Sequence, residues 1–190
     1  LVTTESDSGS KQFTFQLNAG HFIATALDKT LTPVPENVVK RLYNSSEGRH
    51  FLSSNVIEID ILTGSGWVNE GTIYSAPEQP TADVFRFYIP SENRHFYTAL
   101  ESERDIIIGD QDTFSGWDYE GGAFSAYRNN FPSDAVAVVR YLNEVSGNHV
   151  YSTSTFEQGI LDQDINWFNE GIAWYGDALS VPPSPLASGS

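Results

Sequence analysis

The chain has 190 residues and a formal net charge of −15, and 39% of its residues are hydrophobic. This charge disfavours phosphate backbones and anionic membrane surfaces, so nucleic acid and membrane partners are not expected, whereas divalent cations remain compatible. There is no cysteine to form a disulfide, and no apolar run reaches the roughly 18 residues of a membrane span. Aromatic residues make up 13% and charged residues only 18%, which predicts a folded chain.

Both ends of the chain are predicted to be linkers. Residues 1–10 are polar, and residues 179–190 are rich in proline and serine. The sequence contains no methionine, which favours a processed product or, as we prefer, a segment of a longer protein. We expect the domain between the linkers to be a monomer in isolation.

Residues 11–35 resemble part of the units that follow them. The stretch from Gly20 to Leu27 is similar to the sequence around His95, but no tryptophan motif comes after it, and His21 lies only 29 positions before His50. Two interpretations stay open for this segment: a degenerate half-repeat that caps the domain, or a coincidence.

Three copies of one sequence unit follow, over residues 36–80, 81–130 and 131–178. Each copy has an arginine, a histidine nine positions later, a glutamate eight positions after that, and a Trp-x-x-Glu-Gly motif. In chain order these are Arg41, His50, Glu58, Trp67 and Glu70; Arg86, His95, Glu103, Trp117 and Glu120; and Arg140, His149, Glu157, Trp167 and Glu170. Such repetition is typical of a fold in which neighbouring units bury a shared core.

The elements of each unit follow from local patterns. The arginine lies in a β-branched and aromatic stretch that predicts a strand, and polar turn residues separate it from a second strand that contains the histidine. A short helix is expected next, because Thr98 and Ser154 begin capping-box patterns and Asn55 can cap the first copy. The tryptophan motif then begins a third strand.

This order predicts an all-β-dominated domain with short helices and pseudo-threefold symmetry. Three strands per unit favour a three-bladed, propeller-like ring, and a closed ring also removes exposed sheet edges. A β-trefoil is the alternative, although it normally needs four strands per unit.

The units resemble a known family of tandem repeats of unknown function, which occurs in secreted bacterial and fungal proteins. The second unit carries the resemblance best, in the stretches that begin at Arg86, His95, Glu103 and Gly116. The first and third units depart from the pattern at Leu52, Ile73, Leu142 and Gly159. The resemblance covers about residues 36–176. It implies a secreted or cell-surface context and an accessory role, and it carries over no catalytic residues.

The repeated charged residues allow two interpretations. Arg41, Arg86 and Arg140 share a strand face with apolar neighbours, so each is expected either to pair with the glutamate of its tryptophan motif or to line a pocket for a polar ligand such as a sugar. The histidines could meet near a threefold axis and hold a metal, but a histidine in this setting more often bonds to a turn carbonyl or a buried carboxylate.

Aromatic residues are the next candidates for ligand contacts. Trp67, Trp117 and Trp167 could stack on sugar rings, although a tryptophan repeated in every unit is more often part of a core. Residues that differ between units are better candidates for exposed contacts. These are Asn69, Tyr119 and Asn169, together with Tyr74, Phe124 and Trp174.

Two variable loops contain Asp-Gln-Asp sequences, namely Asp110 with Asp112 and Asp162 with Asp164. Paired carboxylates are suitable calcium ligands, but two are too few alone, and a solvated loop explains them equally well. No cofactor is required by the sequence, and Ca²⁺ is possible.

No catalytic motif is present: neither a nucleophile elbow, nor a zinc-protease helix, nor a phosphate loop. Every candidate carboxylate recurs in each unit, which suits folding or multivalent binding better than a single active site. We therefore expect a non-catalytic, lectin-like module within a larger adhesin or secreted enzyme, which binds a cell-surface or cell-wall glycan. The alternative is a structural spacer or a protein-docking domain without a small ligand.

Overall fold

The computed structural model describes residues 38–179, which form three successive units of strand, strand, helix and strand. The first unit contains β1 (Val38–Asn44), β2 (Arg49–Ser53), α1 (Val56–Gly64) and β3 (Val68–Ser75). The second contains β4 (Ala82–Ile89), β5 (Arg94–Thr98), α2 (Glu101–Gly109) and β6 (Asp118–Ala126). The third contains β7 (Val136–Asn143), β8 (His149–Ser152), α3 (Thr155–Leu161) and β9 (Trp167–Gly176). The element order predicted from the sequence is confirmed in each unit.

Each unit forms its own three-stranded antiparallel sheet, in which the first strand of the unit is central. The strand orders are β2-β1-β3, β5-β4-β6 and β8-β7-β9. The described part of the chain is thus mostly β with three short helices, and its arrangement is compatible with threefold symmetry.

The helix starts follow the predicted caps in two units of three. Asn55 accepts hydrogen bonds from the amides of Ile57 and Glu58, and Ser154 accepts one from Glu157, so both caps are confirmed. The capping box predicted at Thr98 is wrong. Thr98 accepts from the amide of Leu100, and Leu100 itself occupies the cap position of α2 without a side-chain acceptor.

A shared apolar core joins the three units. It takes equivalent buried residues from each sheet: the central-strand valines, the residues two positions after each histidine, and the residues seven positions after each tryptophan. These are Val39, Val84 and Val138; Leu52, Tyr97 and Tyr151; and Tyr74, Phe124 and Trp174. Each unit also has a smaller cluster of its own, in which its tryptophan packs beside the helix. The shared core therefore depends on all three units at once.

Buried tyrosine hydroxyls connect neighbouring units inside this core. The hydroxyl of Tyr97 accepts from the amide of Leu52 and donates to its carbonyl, both at 3.0 Å, and the hydroxyl of Tyr151 does the same at Tyr97, at 2.8 Å. Leu52 has no hydroxyl for the third such contact, and Arg41 Nη1 instead donates to the Tyr151 carbonyl at 3.3 Å. Burial raises the pKa of both phenols, so both remain donors.

The hairpin turns form a second cyclic set of contacts. Arg49 donates to the carbonyl of Glu92 in the second unit, and Asn148 of the third unit donates to the carbonyl of Gly48 in the first. The guanidinium of Arg94 lies directly against Gly147, so that a Cβ at this glycine would come within 2.7 Å of Arg94 Nη1. Each turn thus touches the next, and the third touches the first.

None of the helices between residues 38 and 179 combines the length and the apolar character that crossing a membrane requires. The predicted cap at residues 11–35 and the predicted linkers at 1–10 and 179–190 lie outside the described residues, apart from Leu179.

Candidate functional site

Each repeated arginine forms an ion pair with the glutamate of the tryptophan motif in its own unit. The Nε atoms of Arg41, Arg86 and Arg140 lie 2.6, 2.6 and 2.8 Å from Oε2 of the partner glutamates. The partners are Glu70, Glu120 and Glu170. The pairing interpretation of the sequence therefore matches the geometry in all three units.

The outer nitrogens of the same arginines reach a different unit. Arg86 Nη1 lies 3.0 Å from Glu58 on α1, and Arg140 binds Glu103 on α2 with two hydrogen bonds of 3.0 Å. Arg41 binds Glu157 on α3 with two bonds of 2.8 Å, which ties the third unit back to the first. Two-point contacts of this kind match the planar guanidinium to the carboxylate. We call these three arginines and six glutamates the ion ring.

The cross-unit partners were not assigned from the sequence. The signal was present, since Glu58, Glu103 and Glu157 each follow a histidine by eight positions. The spacing alone gives no information on which unit a helix faces, and only the arrangement of the sheets supplies it. The hydroxyls of Ser53 and Ser152 donate to Glu58 and Glu157 and fix the orientation of these carboxylates.

A β-bulge in the third strand of each unit orients the glutamate of the Trp-x-x-Glu-Gly motif. In the second unit Arg86 pairs with Gly121 and Phe87 with Tyr119, so Glu120 is the extra residue and has no cross-strand partner. The first and third units shift register at the same place. Gly121 has φ +91°, a conformation that side chains rarely adopt. The bulge turns Glu120 towards the arginine, because an extra residue re-aims its side chain.

We expect Gly121→Ala to lower the free energy of unfolding by about 1–2 kcal/mol, because the methyl group clashes with the backbone at positive φ. Gly122→Ala is the matched control: its added Cβ meets only Asp83 Cβ at 3.9 Å, and its φ is ordinary. Urea denaturation of both variants measures the difference. Equal stability of the two would contradict the role assigned to the bulge.

The histidines contact the ion ring. Their Nε2 atoms lie 3.3, 3.4 and 3.3 Å from the glutamates that also bind the arginines. Burial by itself would raise the pKa of Glu70, Glu120 and Glu170, but the hydrogen bond from histidine and the arginine charge outweigh it, so each pKa lies below its ordinary value. Each histidine thus contacts a glutamate of its own unit, as seen for His50, His95 and His149. Between residues 38 and 179 no three histidine or acidic side chains gather as a metal site.

The tryptophans lie half-buried beside the helices. Trp67 meets Phe51 edge-on, with ring centroids 6.1 Å apart, and Trp117 packs against Phe87, Phe96 and Phe114. Trp167 belongs to the corresponding cluster of the third unit. These contacts match the core interpretation of the motif.

Half of the variable positions are buried, contrary to the prediction. Tyr74 and Trp174 are 0% exposed and Phe124 is 8% exposed, because all three side chains lie in the shared core. Their variation is therefore a variation within the shared core and does not mark an exposed contact.

The other variable positions differ in their hydrogen bonding. Asn69 and Asn169 accept a hydrogen bond from the amide of the bulge glycine two residues later, at 2.9 Å. Tyr119 is 41% exposed, and its ring lies 5.1 Å from Phe87 and 6.3 Å from Phe85, measured between centroids. The second unit thus presents a supported aromatic ring where the others have an asparagine.

The acidic loops form internal hydrogen bonds. Asp110 accepts from the amide of Thr113, and Asp164 accepts from Asn166. Asp162 accepts from the hydroxyl of Tyr141 and from Asn169, while Asp112 is exposed. These bonds explain how three of the four carboxylates order their loops.

The three sheets and the ion ring define a β-dominated domain built from three equivalent units. Residues 38–177 match the model of a domain of unknown function, DUF5648, and the chain belongs to this family. The match begins with β1 and ends just after β9, so it includes every unit. No curated protein and no solved structure matches the chain.

Proposed function

We propose that this protein is a non-catalytic, extracellular or cell-surface module that binds carbohydrate, as part of a larger adhesin or secreted enzyme. The observation that carries the proposal is the Tyr119 ring, which is 41% exposed and packed against Phe85 and Phe87. A supported tyrosine offers a large contact area with little conformational entropy to lose, and its hydroxyl can bond to a polar ligand.

The ion ring supports a non-catalytic role. Each arginine pairs with glutamates from two units, and each histidine contacts one of the same carboxylates. These charged groups are therefore bound to one another. A glycosidase needs an acid whose pKa is raised enough to hold a proton near neutral pH. The pKa values of Glu70, Glu120, Glu157 and Glu170 are shifted in the opposite direction.

The finer architecture is part of the proposal. The cyclic ion pairs favour three propeller-like blades around one axis, and three strands per unit suit this arrangement better than a β-trefoil. We also propose that the units belong to the tandem repeat of secreted proteins that they resemble, and that the isolated domain is monomeric. The acidic loops remain the candidates for Ca²⁺.

A glycan-array screen of the labelled domain, run with calcium and with a chelator, tests the proposal. We expect selective hits on cell-surface or cell-wall glycans. Loss of the hits in chelator would implicate the loops that contain Asp110, Asp112, Asp162 and Asp164. A blank array under both conditions would refute carbohydrate binding.

Tyr119→Asn should weaken binding to an array hit at least about tenfold, which is typical for loss of a central aromatic contact. Asparagine is the residue of the other two units, where it bonds to the bulge glycine, so the melting temperature should change little. Phe168→Ala, which removes a 56% exposed aromatic ring from the third unit, is the control and should bind normally. A parallel fall of affinity and melting temperature in Tyr119→Asn would show that Tyr119 is structural.

A spacer or protein-docking role is the second candidate. The pairing of each repeated arginine with two glutamates favours it, as does the exposure of several large apolar side chains in the third unit. These are Phe156, Ile160, Ile165 and Phe168. Under this alternative the array is blank and the apolar surface binds a protein.

A further inference from the structure

The second unit contains a cavity of about 340 Å³ beside the exposed tyrosine. Phe85 lines the cavity and also contacts the Tyr119 ring, so the two features are adjacent. The volume lies at the lower end of the range found for small-molecule sites. It therefore suits one small ring better than an extended chain.

The lining combines hydrogen-bond donors and acceptors. Asp83 and Glu101 supply carboxylate oxygens, Ser102 supplies a hydroxyl, and Arg128 supplies a guanidinium. Arg128 Nη1 donates to the carbonyl of Ala173 at 2.9 Å, so a residue of the third unit holds Arg128 in place. The amides of the first turn of α2 have no side-chain cap and add further donors at this edge.

The lining also has an apolar part. Phe85 and Leu100 contribute carbon surface, and the guanidinium of Arg104 packs over the Phe85 ring, 4.4 Å from its centroid. A cavity with apolar walls and a few convergent polar groups is the usual form of a small-ligand site.

We propose that this cavity binds a single sugar residue that carries no negative charge, and that Tyr119 contacts the next part of the same glycan. The inference rests on the proposed function and adds the position of the site and the charge class of the ligand. Asp83 and Glu101 outnumber Arg128 among the charged lining groups, so the lining disfavours an anionic sugar. Each sugar hydroxyl both donates and accepts, so a neutral ring satisfies both kinds of lining group.

The site exists only in the second unit, although the scaffold is repeated. The positions of Asp83, Phe85, Glu101 and Ser102 are occupied in the first unit by Val38, Lys40, Val56 and Ile57. In the third unit they are occupied by Ala137, Val139, Thr155 and Phe156. The three described units thus share an architecture, but the first and third lack this set of lining residues.

Isothermal titration calorimetry with three matched series of methyl glycosides tests the inference. Each series contains the neutral hexose and its uronic acid, in the gluco, galacto and manno configurations. The neutral member of at least one series should bind, and its uronic acid should bind at least about tenfold more weakly, because it places a carboxylate beside Asp83 and Glu101. Equal binding of the uronic acid would overturn the proposed charge class.

Two substitutions test the position of the binding site by introducing the residue found at the equivalent position of another unit. Asp83→Val and Glu101→Thr should each weaken binding of the neutral glycoside at least about tenfold, since each removes an acceptor from the site. Thr155→Ala, at the position of Glu101 in the third unit, is the matched control and should bind normally. Melting curves verify that all three variants fold.

The outcomes separate this inference from the proposed function. Binding of a neutral glycoside that survives both substitutions would place the site elsewhere and leave carbohydrate binding intact. Failure of every glycoside and of the glycan array would overturn both.

Discussion

Replacing Arg86 with methionine should lower the free energy of unfolding by about 3–5 kcal/mol, because it leaves two carboxylates without their cation. Its two partners are the least exposed glutamates of the ion ring: the side chains of Glu58 and Glu120 are 13% and 11% exposed, and that of Arg86 is 18% exposed. Its guanidinium also lies 5.1 Å from the Phe51 ring centroid in the neighbouring unit. Urea denaturation at neutral pH measures the loss.

Lys40→Met is the control for this substitution. Lys40 is a cation on a central strand, but it takes part in none of the ion pairs formed within the described range. Its replacement should change stability by no more than about 0.5 kcal/mol. If Arg86→Met were as stable as Lys40→Met, the ion ring would not contribute to the fold.

Acid should destabilise the domain through the same carboxylates. The pKa values of Glu70, Glu120, Glu157 and Glu170 are lowered from 4.5 in the folded chain, so the unfolded chain takes up protons more readily. Their contribution is complete above pH 4.5 and is lost as the pH falls through the lower folded values. The carboxylates are partly exposed, so we expect a total loss on the order of a few kcal/mol. Urea denaturation from pH 7 to pH 2 measures it.

Arg86→Met provides the internal control for the acid effect. Without the arginine charge the pKa of Glu120 should rise, so the stability difference between the parent and variant proteins should narrow below pH 4.5. A difference that stays constant down to pH 2 would show that the pairing of Glu120 with Arg86 does not depend on its ionisation.

The sequence predicted the elements of each unit well, because each has a local cause. The strand around Arg86 is β-branched and aromatic, and Asn55 and Ser154 cap their helices through their own side chains. Thr98 was misjudged, because its hydroxyl binds an amide before the helix begins. This choice between two nearby amides depends on backbone geometry that residue types do not specify.

Contacts between units were harder to predict. The pairing of Arg86 with Glu120 follows from strand register, but its second partner, Glu58, comes from a helix of the preceding unit. Likewise, Tyr74 and Trp174 differ between units although both lie in the shared core, so their variation gave a false signal of exposure. Tyr119 varies at the surface and was correctly predicted to be exposed.

The cavity in the second unit could not be found from the sequence. Asp83, Glu101 and Arg128 lie on a strand, a helix and a loop, and no motif links them. Only the absence of these residue types from the equivalent positions of the other units hinted at a special role. Repetition therefore identified the architecture, and departures from it locate the candidate site.

The central claim is that the repeated charges build the domain while the second unit alone binds the ligand. Its most direct test is a ¹H–¹⁵N NMR titration of the domain with the strongest neutral glycan from the array. We expect saturable shifts at the amides of Phe85, Leu100, Ser102 and Tyr119, with the other units unchanged. Equal shifts in all three units, or shifts confined to the ion ring, would contradict the account.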